Sequence, residues 1–193
     1  MIERIERIEH VLGEFAEPGV RPRVANKQPE RLMLIAGLCA GRFPGDLAEI
    51  GAQKGITTVR LLGVAREHDR RVIVVDPWQP RTQDCRGHEY DEFVKATADY
   101  SDLLDVIRLP SQDSQAIEGL MAQPLSFSYV DGLHQHGPAL CDIMAVRHTE
   151  GVIAVDDVRM FAGVRAAFEQ AAVLLGRTAI YRPEMGIREG YLV

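Results

Sequence analysis

Asp46-Leu-Ala-Glu-Ile-Gly-Ala-Gln-Lys-Gly55, followed by Ile56-Thr-Thr-Val-Arg-Leu-Leu62, is the stretch on which the fold turns. It opens as a short apolar strand and runs into a glycine turn. The residues after the turn have helical spacing, with Ile56, Val59, Leu62 and Gly63 placed to face a sheet. A glycine turn between a strand and a helix lets backbone N–H groups approach a ligand, because no Cβ stands in the way. The spacing Glu49-x-Gly51-x-x-x-Gly55 is not the G-x-G-x-x-G of dinucleotide-binding proteins. Alone it reads equally well as a tight strand-to-helix turn, so the rest of the chain has to decide.

Downstream, Arg71 begins Val72-Ile-Val-Val-Asp76, a continuous β-branched run that suits a buried parallel strand and ends on an acid. Asp76 lies 25 residues beyond Gly51. That is near the roughly 20-residue offset at which an acid meets the ribose hydroxyls of a nucleotide-like ligand; capping the next helix is the plainer role. Pro77 to Gly87 reads as a loop carrying Trp78, and Glu89 to Tyr100 as a helix. Asp105 to Leu109 is a third strand, followed by Pro110-Ser-Gln-Asp-Ser114 and a short helix to Met121. Leu125 to Val130 is a fourth strand that ends at Asp131-Gly132-Leu-His134-Gln-His136-Gly137, with a helix from Pro138 to His148. Gly151 to Val155 is a fifth strand, ending at Asp156-Asp157, and Phe161 to Leu175 a further helix. Thr178 to Tyr181 and Ile187 to Val193 read as two strands joined by a loop.

Upstream, Ile2, Ile5, Ile8, Val11 and Leu12 mark a short amphipathic helix ending near Gly13. Pro18 to Pro29 is a polar connection, and Pro29 to Ala40 a helix with Leu32, Met33, Ile35 and Leu38 apolar. Strands alternating with helices predict a doubly wound, Rossmann-like α/β fold. Its sheet should be mostly parallel, with helices on both faces and an antiparallel C-terminal edge strand. The length of 193 residues suits one domain over 1–193, made of an N-terminal helical cap over 1–40 and a Rossmann-like core over 41–193.

At 46% hydrophobic residues the chain can build a proper core. A net charge of −6 without a basic run argues against nucleic acid as a partner. No apolar run is long enough to span a membrane, and the charged N-terminus is no signal peptide. Cys39, Cys85 and Cys141 are odd in number and far apart, which points to reduced thiols in a cytoplasmic protein. A homo-oligomer is left open, with the amphipathic N-terminus one candidate contact.

In an open parallel sheet, ligands bind outside the carboxyl ends of the strands. The five strands end, in order, on Glu49 and the glycines; on Asp76; on Ser111, Gln112 and Asp113; on Asp131 and His134; and on Asp156 and Asp157. Helix capping accounts for some of these, but poorly for five successive strands. Carboxylates gathered on one rim repel unless they are protonated or neutralised. A bound cation is the natural answer, and oxygen ligands suit Mg²⁺, Mn²⁺ or Ca²⁺. Zinc through His134 or His136 lacks a second-ligand spacing.

In this order and spacing, four stretches resemble the class I S-adenosylmethionine (SAM) dependent methyltransferases. They are most similar to the small metal-dependent O-methyltransferases of the catechol type and of macrolide sugars. Ala48-Glu-Ile-Gly-Ala-Gln-Lys-Gly-Ile-Thr57 is similar to the first SAM motif and Val75-Asp-Pro-Trp78 to the acidic ribose strand. Ser111-Gln-Asp113 resembles the adenine loop; Val130-Asp-Gly-Leu-His134 and Val155-Asp-Asp-Val158 resemble the two metal-bearing strand ends. The resemblance implies that Glu49, Gly51 and Gly55 shape the methionine pocket. Asp76 would hold the ribose, with Trp78, Ser111 and Gln112 around the adenine. Asp131, Asp156 and Asp157 would bind Mg²⁺ or another hard divalent cation. The catechol enzymes carry a catalytic Lys three positions after the first metal Asp; here that position is His134, the expected base beside Asp131. The chain departs from the family also at Glu150-Gly151, where two glycines are common.

The implied reaction moves a methyl group from SAM to a hydroxyl of a small molecule, and a vicinal diol in a catechol or sugar would suit the ion. Walls for such an acceptor are expected from the N-terminal helix, the Trp78 to Tyr90 segment and the Arg159-Met160-Phe161 loop. Three other readings stand beside this one. The first is a metal-independent methyltransferase with His134 as sole base; the second, a non-catalytic SAM-binding protein. The third is an NAD-dependent oxidoreductase, which the missing G-x-G-x-x-G and Tyr-x-x-x-Lys count against.

Overall fold

The computed structural model describes residues 10, 28–78 and 88–193. The expected helix over Ile2 to Leu12, most of the Pro18 to Pro29 connection and the loop beyond Trp78 lie outside the described residues. Helix α1 (Gln28–Arg42) leads into β1 (Asp46–Ile50), α2 (Ile56–Glu67) and β2 (Val72–Val75). Then come α3 (Glu89–Thr97), β3 (Leu104–Ile107), α4 (Ser114–Met121) and β4 (Leu125–Val130). The chain closes with α5 (His136–Ala145), β5 (Val152–Val155), α6 (Ala162–Leu175), β6 (Ala179–Ile180) and β7 (Gly190–Leu192).

The seven strands form one sheet in the order β3-β2-β1-β4-β5-β7-β6. The first five pair in parallel, and β7 runs antiparallel between β5 and the edge strand β6. The doubly wound fold with antiparallel pairing at its C-terminal edge is therefore as expected. The tail strands are shorter than their sequence pattern, and a 3₁₀ turn at Pro183–Met185 lies in the connection between them.

Side chains alternate across each strand, so each strand feeds two cores. Leu47, Val72, Val74, Phe127 and Tyr129 pack under α1, α2 and α3 with Leu32, Ile35, Leu61 and Phe93. Ala48, Ile50, Ile73, Val75, Leu125 and Val155 face α4, α5 and α6 with Leu120, Ile143 and Phe168. Each fully buried Leu, Ile or Phe contributes roughly 1.5–3 kcal/mol, which fixes the register of strands this short.

The sheet-facing side of α2 differs from the expected one. Ile56 is 69% exposed, and the buried positions are Thr58, Leu61, Leu62, Val64 and Ala65. The phase is set at Glu49, whose side chain points to the α2 face of the sheet and accepts a 2.5 Å bond from the Thr58 hydroxyl. Satisfying that buried carboxyl outweighs burying Ile56.

Candidate functional site

Strand register builds the site. Ile107, Val75, Ile50, Val130 and Val155 are neighbours across the parallel strands. The next residues carry the ladder outward: Asp76 N–H donates to Ile107, Gly51 to Val75, Asp131 to Ile50 and Asp156 to Val130. Asp76, Gly51, Asp131 and Asp156 thus stand side by side on one rim. Among the described residues, three of the four non-glycine residues at positive φ are also here: Gln53, Trp78 and Asp157. Such backbone is held only where its surroundings enforce it.

On the β1–β2 side, the Asp76 carboxylate anchors the glycine turn. It accepts Ala52 N–H at 2.9 Å, Gln53 N–H at 3.0 Å and Trp78 N–H at 2.7 Å. A carboxylate offers about four acceptor sites, so one remains for a ligand. Gly51, at φ +89°, is pressed against β4, and a Cβ there would lie 2.1 Å from the Asp131 carbonyl oxygen. Glu49 is buried beneath this turn, and burial pushes its carboxyl up to about 8, against the opposing bond from Thr58. Trp78 turns back over the turn, donating its indole N–H to Gln53 O at 2.7 Å and packing on Tyr90 and Phe93.

A cavity of about 210 Å³ opens beside the turn, lined by Gly51, Val75, Pro77, Ser111, Gln112 and Gly132 among others. Trp78 is not among its lining residues. Asp142 lies under it, 1% exposed, accepting the Ser111 hydroxyl at 2.5 Å and the Gln112 amide at 2.8 Å. Sequence reading missed Asp142; its signal was an acid in the apolar stripe Ala139, Asp142, Ile143 of α5.

On the β4–β5 side, the donor atoms of Asp131, His134 and Asp157 lie within 4.8 Å of one another. His134 Nε2 is 3.3 Å from Asp157 Oδ2 and 3.8 Å from Asp131 Oδ1. Its ring stacks on Phe161 at 4.3 Å, which fixes the imidazole plane. The carboxylates of Asp131 and Asp157 beside it raise the imidazole's pKa above its ordinary value. Burial raises the Asp131 carboxyl and pushes Asp156 up to about 6. His136 is turned away from the cluster and bonds Gln170 at 2.8 Å.

Asp156 does not join that convergence. Its Oδ1 accepts Asp157 N–H at 2.8 Å, and its Oδ2 is 3.4 Å from Arg188 Nη2. Arg188 Nε also donates to Asp157 Oδ1 at 3.0 Å, with Nη2 on the same oxygen. Burial alone would lower the Arg188 pKa; Asp156 and Asp157 outweigh it and raise it. The sequence reading left these acids to a bound cation and did not find Arg188. Register was the missing signal: Val155 pairs Gly190 antiparallel, so the residues before Gly190 return to the rim where those after Val155 leave it.

A second cavity, of about 230 Å³, lies over this side, lined by Leu32, Met33, Thr57, Arg60, Tyr129, Asp131, Asp156 and Arg188 among others. Of the expected acceptor walls, Phe161 reaches His134; the N-terminal helix and residues 79–87 lie outside the described residues.

In sequence, residues 48–158, more than half of the chain, match the profile of a family described as a methyltransferase domain. The chain belongs to this family. No curated protein matches it in sequence. Among solved structures, it is similar to CalS11, a TDP-rhamnose 3′-O-methyltransferase of calicheamicin biosynthesis. That pair shares 14% identity over 99% of this chain and 93% of the other, with a TM-score of 0.62. The O-methyltransferase NovP matches at 17% identity over 86% and 78%, with a TM-score of 0.68. TomG of Streptomyces achromogenes, an O-methyltransferase of tomaymycin synthesis solved with SAM, matches at 18% over 98% and 87%, with a TM-score of 0.58. Identities this low show a shared fold. The class I methyltransferase reading is borne out by the family match, which sets the oxidoreductase reading aside. Among the described residues, no helix is long and apolar enough to cross a membrane.

Proposed function

We propose that this methyltransferase moves the methyl group of SAM to a hydroxyl oxygen of a small molecule, with a hard divalent cation, Mg²⁺ first, assisting. One observation carries the reading: consecutive residues at the β4 exit line the two cavities, Gly132 the first and Asp131 the second. A donor in the first cavity and an acceptor in the second would meet across that exit. TomG holds SAM, and the O-methyltransferase of Bacillus cereus holds its demethylated product. CalS11 acts on a nucleotide sugar, which favours a sugar- or catechol-like diol as the acceptor. The dispersed cysteines keep the cytoplasm as the expected location.

In this reading Glu49, Gly51 and Gly55 shape the methionine pocket. The spare acceptor site of Asp76 takes a ribose hydroxyl, and Ser111 and Gln112, held by Asp142, flank the adenine. Trp78 acts at one remove, by holding the turn. Two carboxylates and an imidazole converging within 4.8 Å fit a divalent ion through Asp131 and Asp157; Asp156 joins them when Arg188 releases it. Such an ion, when bound, supplies Lewis acidity that lowers a hydroxyl's pKa. His134 Nε2 takes the hydroxyl proton, and Asp131 and Asp157 stabilise the imidazolium formed. The oxygen attacks the methyl carbon in line: the C–O bond forms, the C–S bond breaks, and its electron pair stays on sulfur. A metal-independent transferase with His134 as sole base is the second reading, favoured by the guanidinium of Arg188 on Asp156 and Asp157.

Calorimetry of the metal-stripped protein tests this, with SAM first and Mg²⁺ after. SAM should bind in wild type and in His134→Gln, and Asp157→Ala should weaken Mg²⁺ at least tenfold, as loss of a ligand does. With a catechol as acceptor, His134→Gln should lower kcat by about 10²–10⁴-fold. SAM binding without any Mg²⁺ binding selects the metal-independent reading; no SAM binding overturns both.

A further inference from the structure

We propose that Arg188 is a built-in counter-cation that competes with the divalent ion for Asp156 and Asp157, so that metal enters only as the guanidinium leaves. The inference rests on the metal-assisted reading. It starts from the contacts: Nε on Asp157 Oδ1 at 3.0 Å and Nη2 on Asp156 Oδ2 at 3.4 Å. Asp157 Oδ2 faces His134, so both oxygens of Asp157 are already occupied. A cation at Asp131 and Asp157 therefore has to take Asp157 from a positive charge.

The backbone of Arg188 is anchored, while its side chain is part-exposed. Its carbonyl accepts Arg159 N–H at 3.0 Å. The next residue, Glu189, is fully buried, bonded by Arg31 Nε of α1 at 2.7 Å and by the Tyr191 hydroxyl at 2.6 Å. The Arg188 side chain is 41% exposed and lines the cavity above the acids. The base of the arm is anchored, and its head can swing to water. A guanidinium also pairs two adjacent carboxylates well. Exchange of one cation for the other couples metal entry to a movement at the acceptor cavity. The coupling is reciprocal: whatever favours the ion releases Arg188 into that cavity.

The test is Mn²⁺ titration of the metal-stripped full chain, followed by the electron paramagnetic resonance signal of free Mn²⁺. Removing the charge with Arg188→Met should tighten Mn²⁺ by roughly tenfold, within the usual range of coupling between two binding events. Arg188→Lys, which keeps the charge, should stay near wild type. Arg188→Gln repeats the test if the methionine variant does not fold. If Mn²⁺ binds wild type and the neutral variants equally, or the variants more weakly, Arg188 is not a competitor, although the metal reading stands. If Mn²⁺ binds none of these proteins, the metal reading falls and the competition with it.

Discussion

On the β1–β2 side of the rim, the Asp76 carboxylate is met by three backbone N–H groups; on the β4–β5 side, Asp156 and Asp157 are met by one guanidinium. The first arrangement is local. It needs a glycine turn and an acid at the end of the next strand, about one βαβ unit apart. The second is long-range, since Arg188 follows Asp157 by 31 residues and arrives just ahead of the antiparallel strand β7. Backbone amides fixed by the fold give a rigid, neutral cradle. A side-chain cation gives a neutralised cluster that can be opened. The β1–β2 side is therefore built to hold; on the proposal above, the acid side is built to exchange.

The halves touch at Gly51, where the largest effect is expected. An alanine there would need φ near +89° and a Cβ 2.1 Å from the Asp131 carbonyl oxygen. Gly51→Ala should cost about 3 kcal/mol or more, and lower Tm by about 10 °C for a chain of this size. SAM and Mn²⁺ binding should weaken together, because the displaced backbone is that of Asp131. A folded Gly51→Ala protein that loses only one of the two would show the halves to be more independent than the contact implies.

The same contrast explains what the sequence made legible. The parallel strands, their order of acids and the glycine turn are periodic or local features, and each stands where its pattern placed it. The exposed Ile56 departs from its pattern because one buried hydrogen bond, Thr58 to Glu49, set the helix phase. Trp78 packs on Tyr90 and Phe93, away from the cavity, because its own backbone, at φ +44°, turns it over Gln53. Arg188 and Asp142 were hidden for a common reason. Their partners are set by strand register and helix packing, which no short motif encodes. The acids on β4 and β5 were visible, but their neutralisation was assigned to an ion when part of it is supplied by the chain.

A smaller effect should separate the halves. Asp76→Asn keeps the shape but turns an amide NH₂ toward N–H donors, and loses charge-assisted bonds worth about 1.5–3 kcal/mol in total effect. SAM affinity should fall by about tenfold, since 1.4 kcal/mol corresponds to one decade. Mn²⁺ affinity on the β4–β5 side should be unchanged in the same protein. A loss of both would mean that the glycine turn also positions the acids.

A pH-dependent effect concerns Glu49, buried beneath the turn, where burial pushes its carboxyl up to about 8. Its folded pKa, about 8, is raised above the unfolded value by burial. Between the ordinary carboxyl range and about 8, the folded chain holds a proton that the unfolded chain has released. The stability it contributes is full at low pH and is lost as pH rises through that window, by about 1.4 kcal/mol per pH unit. Above about 8 both states are ionised and the slope vanishes. Glu49→Gln cannot titrate and should lack this component. Urea unfolding of the two proteins, from about pH 5 to about pH 9, should show wild type losing stability relative to Glu49→Gln as pH rises, and then levelling. A difference independent of pH would mean that Glu49 stays ionised where it is buried, beside Asp76 and Asp131. The cofactor side would then hold an anion that needs a cation of its own, and the ammonium of SAM would have the role that Arg188 has across the rim.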